Sequence, residues 1–165
     1  RFTEKFRGFS DPGETRQLSI LNGLKDIYAY GEDGDVVIVH DAARPGIADS
    51  LIMRSLCAVE DHDGVLPVLP MKDTVYLSTD GQSVASLLDR EQIFAGQAPE
   101  TFRLGKYYEA NLALLPDRIR KINGSTEPAI LAGMDIAMIP GDEKNFKITT
   151  REDLIRFEET FEGKR

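Results

Sequence analysis

Several features that particular functional classes require are scarce or absent in this sequence. Cys57 is the only cysteine, which excludes an intrachain disulfide and a cysteine zinc cluster and predicts a reducing cytoplasm as the location. No apolar run approaches the ~20 residues of a membrane-spanning helix. The formal net charge of −8 disfavours a general nucleic-acid binder and a protein that binds anionic membranes.

Glycine-rich loops that hold nucleotide phosphates are also missing. Neither Gly-x-Gly-x-x-Gly nor a Walker-type loop occurs, so these residues alone do not form a complete nucleotide-phosphate site. A nucleophile elbow and a zinc signature are absent as well. These absences still allow a local basic pocket for a phosphorylated small molecule.

What the sequence does contain is an alternation of helical and strand patterns over 165 residues, a length that suits one domain. Helical spacing of apolar residues recurs at 14–27, 49–60 and 104–115. A further helix is predicted from Ser125, with a hydroxyl and a proline placed as in a cap, and another after Thr150. Buried strands are predicted at 36–39, 65–69 and 136–139, the first of them covered on both faces. This alternation predicts βαβ units on a mostly parallel sheet.

Residues 71–92 interrupt that alternation. Asp80-Gly81 is a hairpin-type turn signal between two short β patterns. Because an isolated two-stranded hairpin is only marginally stable in water, this one is expected to pack against something else. A second subunit, embraced by a protruding arm, and the chain's own sheet are both open alternatives.

Charged residues follow the first predicted strand abruptly, in the order His40, Asp41, two alanines, Arg44 and Pro45. Ligands of open α/β sheets bind at the carboxyl ends of the strands, which is where Asp41 is expected. A carboxylate with small neighbours suits a Mg²⁺ ion that also holds phosphate oxygens. The simpler alternative is a surface Asp–Arg pair in a charged turn.

Lys147 lies just before the last predicted helix. A lysine there can hold a phosphate as a compact positive charge, with Thr149 as a hydroxyl donor. A solvated lysine at the end of an extended piece is the alternative. We expect Asp41 and Lys147 to face a common hollow that holds a triphosphate.

Several short motifs occur in a fixed order along nearly the whole chain. They are Gly13-Glu-Thr-Arg-Gln-Leu-Ser19, His40-Asp-Ala-Ala-Arg-Pro45, Asp73-Thr74, Asp89-Arg90, Gln97-Ala-Pro99, Pro140-Gly-Asp142 and Asn145-Phe-Lys-Ile-Thr-Thr150. In this combination the sequence resembles the 2-C-methyl-D-erythritol 4-phosphate cytidylyltransferases of the non-mevalonate isoprenoid pathway. The related ribitol 5-phosphate cytidylyltransferases share the pattern.

The resemblance implies an α/β fold, a Rossmann-like (glycosyltransferase-A-like) nucleotidyltransferase with a mostly parallel sheet. It implies one domain over 1–165, incomplete at its N-terminus because the segment with the glycine-rich loop is missing, so that the chain alone is expected to be inactive. It also implies a homodimer clasped by 71–92. The implied reaction converts CTP and a polyol phosphate into a CDP-polyol and pyrophosphate.

The resemblance further implies roles for individual residues. Asp41 would bind Mg²⁺ or another divalent cation, and Lys147 would stabilise the charge that grows on the α-phosphorus as the acceptor phosphate attacks. The other implied residues are Gly13, Glu14, Ser19 and Ala42, with Arg16 nearby, for cytidine; Arg44 and Thr126 for the acceptor; and Thr74 and Arg90, from the partner's arm, for the acceptor phosphate.

Two departures from the family's pattern fall on the acceptor side. The usual Gln-Thr-Pro-Gln is replaced by Gln97-Ala98-Pro99-Glu100, which loses a phosphate-binding hydroxyl and gains a carboxylate. The usual Thr-Asp is replaced by Thr126-Glu127. The motifs therefore predict the transfer of a cytidylyl group more firmly than they predict which polyol phosphate accepts it. These departures also motivate an alternative, a non-catalytic nucleotide-binding or dimerisation module of the same fold.

Overall fold

The structure is a computed structural model that describes residues 5–162. In that range the helices are α1 (Arg16–Tyr28), α2 (Asp49–Ala58), α3 (Leu104–Leu112), α4 (Glu127–Leu131) and α5 (Arg151–Glu162). The strands are β1 (Val36–Val39), β2 (Gly64–Pro70), β3 (Val75–Leu77), β4 (Ser86–Leu88), β5 (Phe94–Gly96), β6 (Glu100–Arg103) and β7 (Ile136–Pro140). None of the helices within 5–162 combines the length and apolar composition needed to cross a membrane.

The main sheet is mixed. β2 and β7 pair in parallel, and β6 lies between β1 and β2, antiparallel to both. β5 also pairs antiparallel with β2. Strands β1, β2 and β7 therefore share one direction, and β1–α2–β2 is a βαβ unit of the predicted kind. The sequence did not predict β5 and β6, the segments that run the opposite way.

The largest cluster of buried side chains lies on the face of the sheet that α1 and α3 cover. Its members are Leu24, Val37, Phe102, Leu104, Tyr107 and Ala129. The ring of Phe102 stacks on that of Tyr107 with 4.0 Å between centroids. The prediction that the strand at 36–39 is buried on both faces is wrong, since Val36 and Ile38 are each 36% exposed. Only the face carrying Val37 is covered by α1 and α3.

The N-termini of two helices begin as the sequence predicts. Thr15 caps α1, because its hydroxyl oxygen accepts a hydrogen bond from the Leu18 N–H at 3.2 Å. At α5, Asp153 accepts from the backbone N–H groups of Thr149 and Thr150 while the Thr150 hydroxyl accepts from the Asp153 N–H, which is a capping box. These hydrogen bonds lower the pKa of Asp153 to about 2.

At α4 the predicted proline in the first turn is confirmed as Pro128, but the predicted capping by a hydroxyl is wrong. Thr126 occupies the N-cap position, but its hydroxyl makes no capping hydrogen bond. Glu127 instead accepts a hydrogen bond from the Asn123 N–H at 2.9 Å. Neither the Ser125 nor the Thr126 hydroxyl therefore caps this helix, so both can interact with other groups.

The hairpin expected within 71–92 forms a separate two-stranded sheet of β3 and β4. Its connection is longer than a two-residue turn, because β3 ends at Leu77 and β4 begins at Ser86. Asp80 organises the loop by accepting from the N–H groups of Gln82 and Ser83, each at 2.8 Å. Gly81 supplies the positive φ, +71°, that the loop requires.

Candidate active site

Asp41 lies directly after β1, as expected, in a turn closed by a hydrogen bond from the Arg44 N–H to the Asp41 carbonyl at 2.9 Å. The His40 side chain contacts the same turn, with its Nε2 3.0 Å from the Arg44 carbonyl oxygen. The segment 146–149 is not a strand. A single backbone hydrogen bond, from the Ile148 N–H to the Ala43 carbonyl at 2.8 Å, holds it against this turn.

That backbone bond brings Lys147 to Asp41, with 3.4 Å between Nζ and Oδ2. Two arginines complete the cluster: Arg16 Nη2 lies 2.8 Å from Asp41 Oδ1, and Arg44 Nε lies 3.5 Å from Oδ2. The side chain of Asp41 is 15% exposed, whereas those of Arg16 and Lys147 are 43% exposed. The prediction that Asp41 and Lys147 lie together is confirmed; their chemical roles stay predictions.

The cations decide the ionisation of Asp41. Burial opposes the charged form, but the hydrogen bond and charge of Arg16, together with the charge of Lys147, outweigh it and lower the pKa of Asp41 below its ordinary value. The carboxylate is therefore ionised at neutral pH. It is a negative charge surrounded by three positive side chains, a set that can hold phosphates once a cation occupies the carboxylate.

Arg16 is held in place by the tight turn that starts α1. The Gly13 N–H donates to the Ser19 hydroxyl at 2.9 Å, which folds the chain back on the first turn of the helix. A Cβ on Gly13 would lie 2.4 Å from the Leu18 Cβ, so only glycine fits this position. The carboxylate of Glu14 pairs with Arg120, away from Asp41. Because the Gly13 N–H is engaged by Ser19, this geometry leaves the rest of the Gly13 and Glu14 backbone, rather than the Glu14 side chain, for a ligand.

The Arg44 side chain is held by a hydrogen bond to the backbone of Asn145. Its Nη1 donates to the Asn145 carbonyl at 2.7 Å. Asn145 is fully buried and its own Nδ2 donates to the Ala98 carbonyl at 2.6 Å. Arg44 therefore links the turn after β1 to the segment that carries Lys147.

A second group of polar residues lies beside Arg16, and the sequence reasoning missed most of it. Arg16 Nη1 donates to the Ser125 hydroxyl at 2.8 Å, and the Tyr107 hydroxyl donates to the Ser125 carbonyl at 2.7 Å. Burial raises the pKa of Glu100, whereas the nearby hydroxyls of Ser125 and Thr126 and the charge of Arg16 act to lower it. The only sequence signal for Glu100 was its departure from the family's usual glutamine.

Three of the predicted residues are not part of this cluster. Thr74 and Arg90 are exposed beside the hairpin, where Arg90 Nη1 donates to the Lys72 carbonyl at 3.0 Å. They were expected to serve a partner's site rather than their own. The hydroxyl of Thr149 donates to Asp153 at 3.0 Å, so it takes part in the start of α5. Ala42 is exposed next to Asp41.

Comparison of the sequence and the fold with known proteins identifies the family. The family described as "2-C-methyl-D-erythritol 4-phosphate cytidylyltransferase" (IspD) matches residues 9–162. The chain belongs to this family. The resemblance seen in the sequence motifs is thereby confirmed over nearly the whole chain.

Relatives in the family are longer than this chain. A protein of Rubrobacter xylanophilus named 2-C-methyl-D-erythritol 4-phosphate cytidylyltransferase is 36% identical over 156 residues, covering 92% of this chain and 64% of the relative. A protein of Bradyrhizobium diazoefficiens named bifunctional enzyme IspD/IspF is 34% identical over 146 residues, covering 88% and 36%. The chain thus spans less than two thirds of the length of these relatives.

Solved structures of the family share the fold. The Francisella tularensis enzyme of the same name superposes with a TM-score of 0.83 at 26% identity, over 92% of this chain and 70% of that one. The Thermus thermophilus enzyme gives 0.76 at 28% identity, over 91% and 71%. The predicted α/β, Rossmann-like nucleotidyltransferase fold is confirmed.

Proposed function

We propose that the protein is a cytidylyltransferase that makes a CDP-polyol and pyrophosphate from CTP and a polyol phosphate, most directly 2-C-methyl-D-erythritol 4-phosphate. The observation that carries this proposal is the contact of the ionised Asp41 with Lys147 and Arg16 at the end of β1. A triphosphate needs both a metal-binding carboxylate and cations in one place. Membership of the family supports the same reaction.

The residues present fit a divalent cation held jointly with phosphates. Among residues 5–162 no three His, Cys, Asp or Glu side chains are grouped to hold a metal by themselves. Mg²⁺ at a phosphate site does not need such a group, because it keeps water ligands and binds through one or two carboxylates plus substrate phosphates. Asp41 supplies one carboxylate. A Mg²⁺ ion bound there would neutralise triphosphate charge.

The chain's own side chains would then position the reactants. Lys147, released from Asp41, would face the α-phosphate and stabilise the charge that grows there during in-line attack. The backbone at Gly13 and Glu14, with Ser19 and Ala42, would line the cytidine site. Arg44 and Thr126 would contact the acceptor. Arg16, at the first turn of α1, is suited to the other phosphates because helix N-termini and arginine both favour anions.

The polyol is the least defined part of the proposal. Ala98 is buried and has no hydroxyl, so the residue that replaces the family's usual threonine cannot donate to a phosphate. The Glu127 carboxylate is engaged by the Asn123 N–H. Both features alter the acceptor side, and ribitol 5-phosphate is therefore the alternative acceptor.

Pyrophosphate release tests the reaction and the acceptor together. Full-length protein is incubated with CTP, Mg²⁺ and one polyol phosphate at a time, and pyrophosphate is measured by a coupled assay. We expect release with 2-C-methyl-D-erythritol 4-phosphate, and none when ATP replaces CTP. Release only with ribitol 5-phosphate would transfer the assignment to that acceptor. No release with methylerythritol, ribitol or glycerol phosphates would contradict a transferase.

A non-catalytic nucleotide-binding module of the same fold is the second candidate, favoured by Ala98 and by the occupied Glu127. Isothermal calorimetry with CTP and with the CDP-polyol separates the two. Tight binding of the CDP-polyol without turnover would support the module, whereas turnover would end it.

We further propose that the protein is a homodimer clasped by the hairpin within 71–92, a single nucleotidyltransferase domain forming each protomer. The hairpin carries large apolar side chains that are exposed in the isolated chain: Tyr76 at 58%, Leu77 at 48%, Val84 at 67% and Leu87 at 66%. A two-stranded sheet with such a surface needs a partner for stability. In a dimer, Thr74 and Arg90 could reach the partner's acceptor site.

Leu87→Glu tests the dimer. The glutamate places a charge on the apolar surface of the arm, so we expect the variant to elute as a monomer in size-exclusion chromatography with light scattering, at concentrations where the natural protein is a dimer. Met53→Glu on α2 is the matched control, because Met53 is 57% exposed outside the arm. A dimer that survives Leu87→Glu, or dissociates equally with Met53→Glu, would contradict a role for the arm.

The cellular location that we propose is the cytoplasm. The single cysteine, Cys57, is exposed and unpaired in the structure, which suits a reducing compartment.

A further inference from the structure

Glu100 is a carboxylate within the candidate site to which the proposed reaction assigns no role. It opens β6 and lies opposite Val39 in the register of β1 and β6, two residues before Asp41. Its Oε2 atom is enclosed by protein and has no hydrogen-bond partner among the residues that the structure describes. A buried acceptor without a partner is costly, so it is rarely kept without a reason.

Arg16 connects Glu100 to Asp41. The two terminal nitrogens of its guanidinium group divide between two sides, Nη2 to Asp41 Oδ1 and Nη1 to the Ser125 hydroxyl, each at 2.8 Å. The hydroxyls of Ser125 and Thr126 act on the Glu100 carboxyl, and the positive charge of Arg16 acts on it as well. Arg16 therefore contacts one carboxyl group directly, that of Asp41, and acts through its charge on a second, that of Glu100.

Ser125 is a fixed link in this arrangement. It is fully buried, and its carbonyl accepts from the hydroxyl of Tyr107, which is also fully buried. Tyr107 is in turn held by its stack on Phe102. Since Ser125 makes no helix cap, its hydroxyl is available to accept from Arg16, and it is also one of the groups that lower the pKa of Glu100.

The present contacts of Asp41 conflict with metal binding. Arg16 occupies Oδ1 and Lys147 occupies Oδ2, so a divalent cation has to displace at least one of them. The side chain of Arg16 is 43% exposed, so water can solvate part of it after displacement, but a carboxylate close by is a stronger hydrogen-bonding partner. The enclosed Oε2 of Glu100 is such a partner.

We propose that Glu100 is a positioning residue that draws Arg16 away from Asp41, so that Asp41 becomes available to a divalent cation. The inference rests on the proposed metal role of Asp41. It assigns Arg16 two positions, one that bridges Asp41 and Ser125 before the metal binds and one that keeps Ser125 and replaces Asp41 with Glu100 afterwards. The amide of the family's usual glutamine cannot supply the same charge, so this positioning of Arg16 is expected only where a glutamate replaces that glutamine.

Binding of Mn²⁺ alone, measured by electron paramagnetic resonance on the full-length protein, tests the proposal without relying on turnover. For Glu100→Gln we expect a dissociation constant about tenfold higher, since a glutamine of the same shape competes less well for Arg16. Ser125→Ala is expected to act in the same direction, because Arg16 then loses the hydrogen bond that holds its Nη1 on the side away from Asp41. Glu109→Gln, at an exposed position of α3, is the matched control.

A double-mutant cycle separates positioning from a direct charge effect. Arg16→Ala removes the competitor, so it should tighten Mn²⁺ binding and make Glu100→Gln without further effect. An equal weakening by Glu100→Gln in the Arg16→Ala background would overturn the proposal, because Glu100 would then act on the metal by its own charge. Unchanged Mn²⁺ binding in both Glu100→Gln and Ser125→Ala would overturn it too.

The same titration distinguishes failure of the inference from failure of the proposed function. Mn²⁺ binding that is lost in Asp41→Asn but insensitive to Glu100 leaves the metal site standing and rejects only the positioning role. Mn²⁺ binding that does not depend on Asp41 rejects the metal role itself, and the positioning role with it. Thermal midpoints of each variant show whether a change reflects the site or the fold.

Discussion

Asp41→Asn is expected to lower the rate of pyrophosphate release by about 10²- to 10³-fold, the size of effect seen when one preorganised electrostatic group is removed. Asparagine keeps the shape of the side chain but loses the charge that would hold the divalent cation. It also leaves Arg16, Arg44 and Lys147 close together around a neutral group. Mutual repulsion of these three cations should displace Lys147 and lower the thermal midpoint.

The measurement is steady-state release of pyrophosphate from CTP at saturating acceptor, with circular dichroism to verify folding. Asp117→Asn is the matched control, since Asp117 is exposed in the loop that precedes Arg118. A rate within threefold of the natural protein's would show that Asp41 is a structural partner of its arginines and no more. An equal loss in both variants would point to a general effect of charge.

Much of this site was predictable because it depends on local signals. The run of β-branched residues at 36–39 and the charged residues after it indicate a strand end, and the capping residues Thr15 and Thr150 mark where α1 and α5 begin. Lys147 lies a few residues before that second cap. Its contact with Asp41 then depends on one backbone hydrogen bond, between Ile148 and Ala43.

The parts that were missed depend on tertiary contacts. β5 has three residues and β6 has four, too few for a period to be recognised, and β6 forms only because β1 and β2 flank it. Glu100 is in the site because β6 pairs with β1. Since β6 was not predicted, the sequence could not predict the position of the Glu100 carboxylate. Ser125 is a second case: its sequence context predicts a helix cap, but Thr126 takes the N-cap position and the Ser125 hydroxyl accepts from Arg16 instead.

Lys147→Met is expected to lower kcat by about 10²-fold while leaving the KM for CTP nearly unchanged. Before the nucleotide binds, the ammonium group contacts Asp41, so in the free protein its charge is partly neutralised. A cation on Asp41 would release it, and the flexible stem of lysine would let it follow the charge that moves onto the α-phosphate during attack. Its interaction would then be strongest in the transition state.

Lys144→Met provides the comparison, since Lys144 is an exposed lysine three residues earlier in the same loop. Initial rates over a range of CTP concentrations separate kcat from KM. A higher KM with an unchanged kcat in Lys147→Met would show that Lys147 binds the substrate and the transition state equally, which contradicts the catalytic role. Because methionine keeps the apolar stem and removes only the charge, a selective fall in kcat would have to come from the ammonium group.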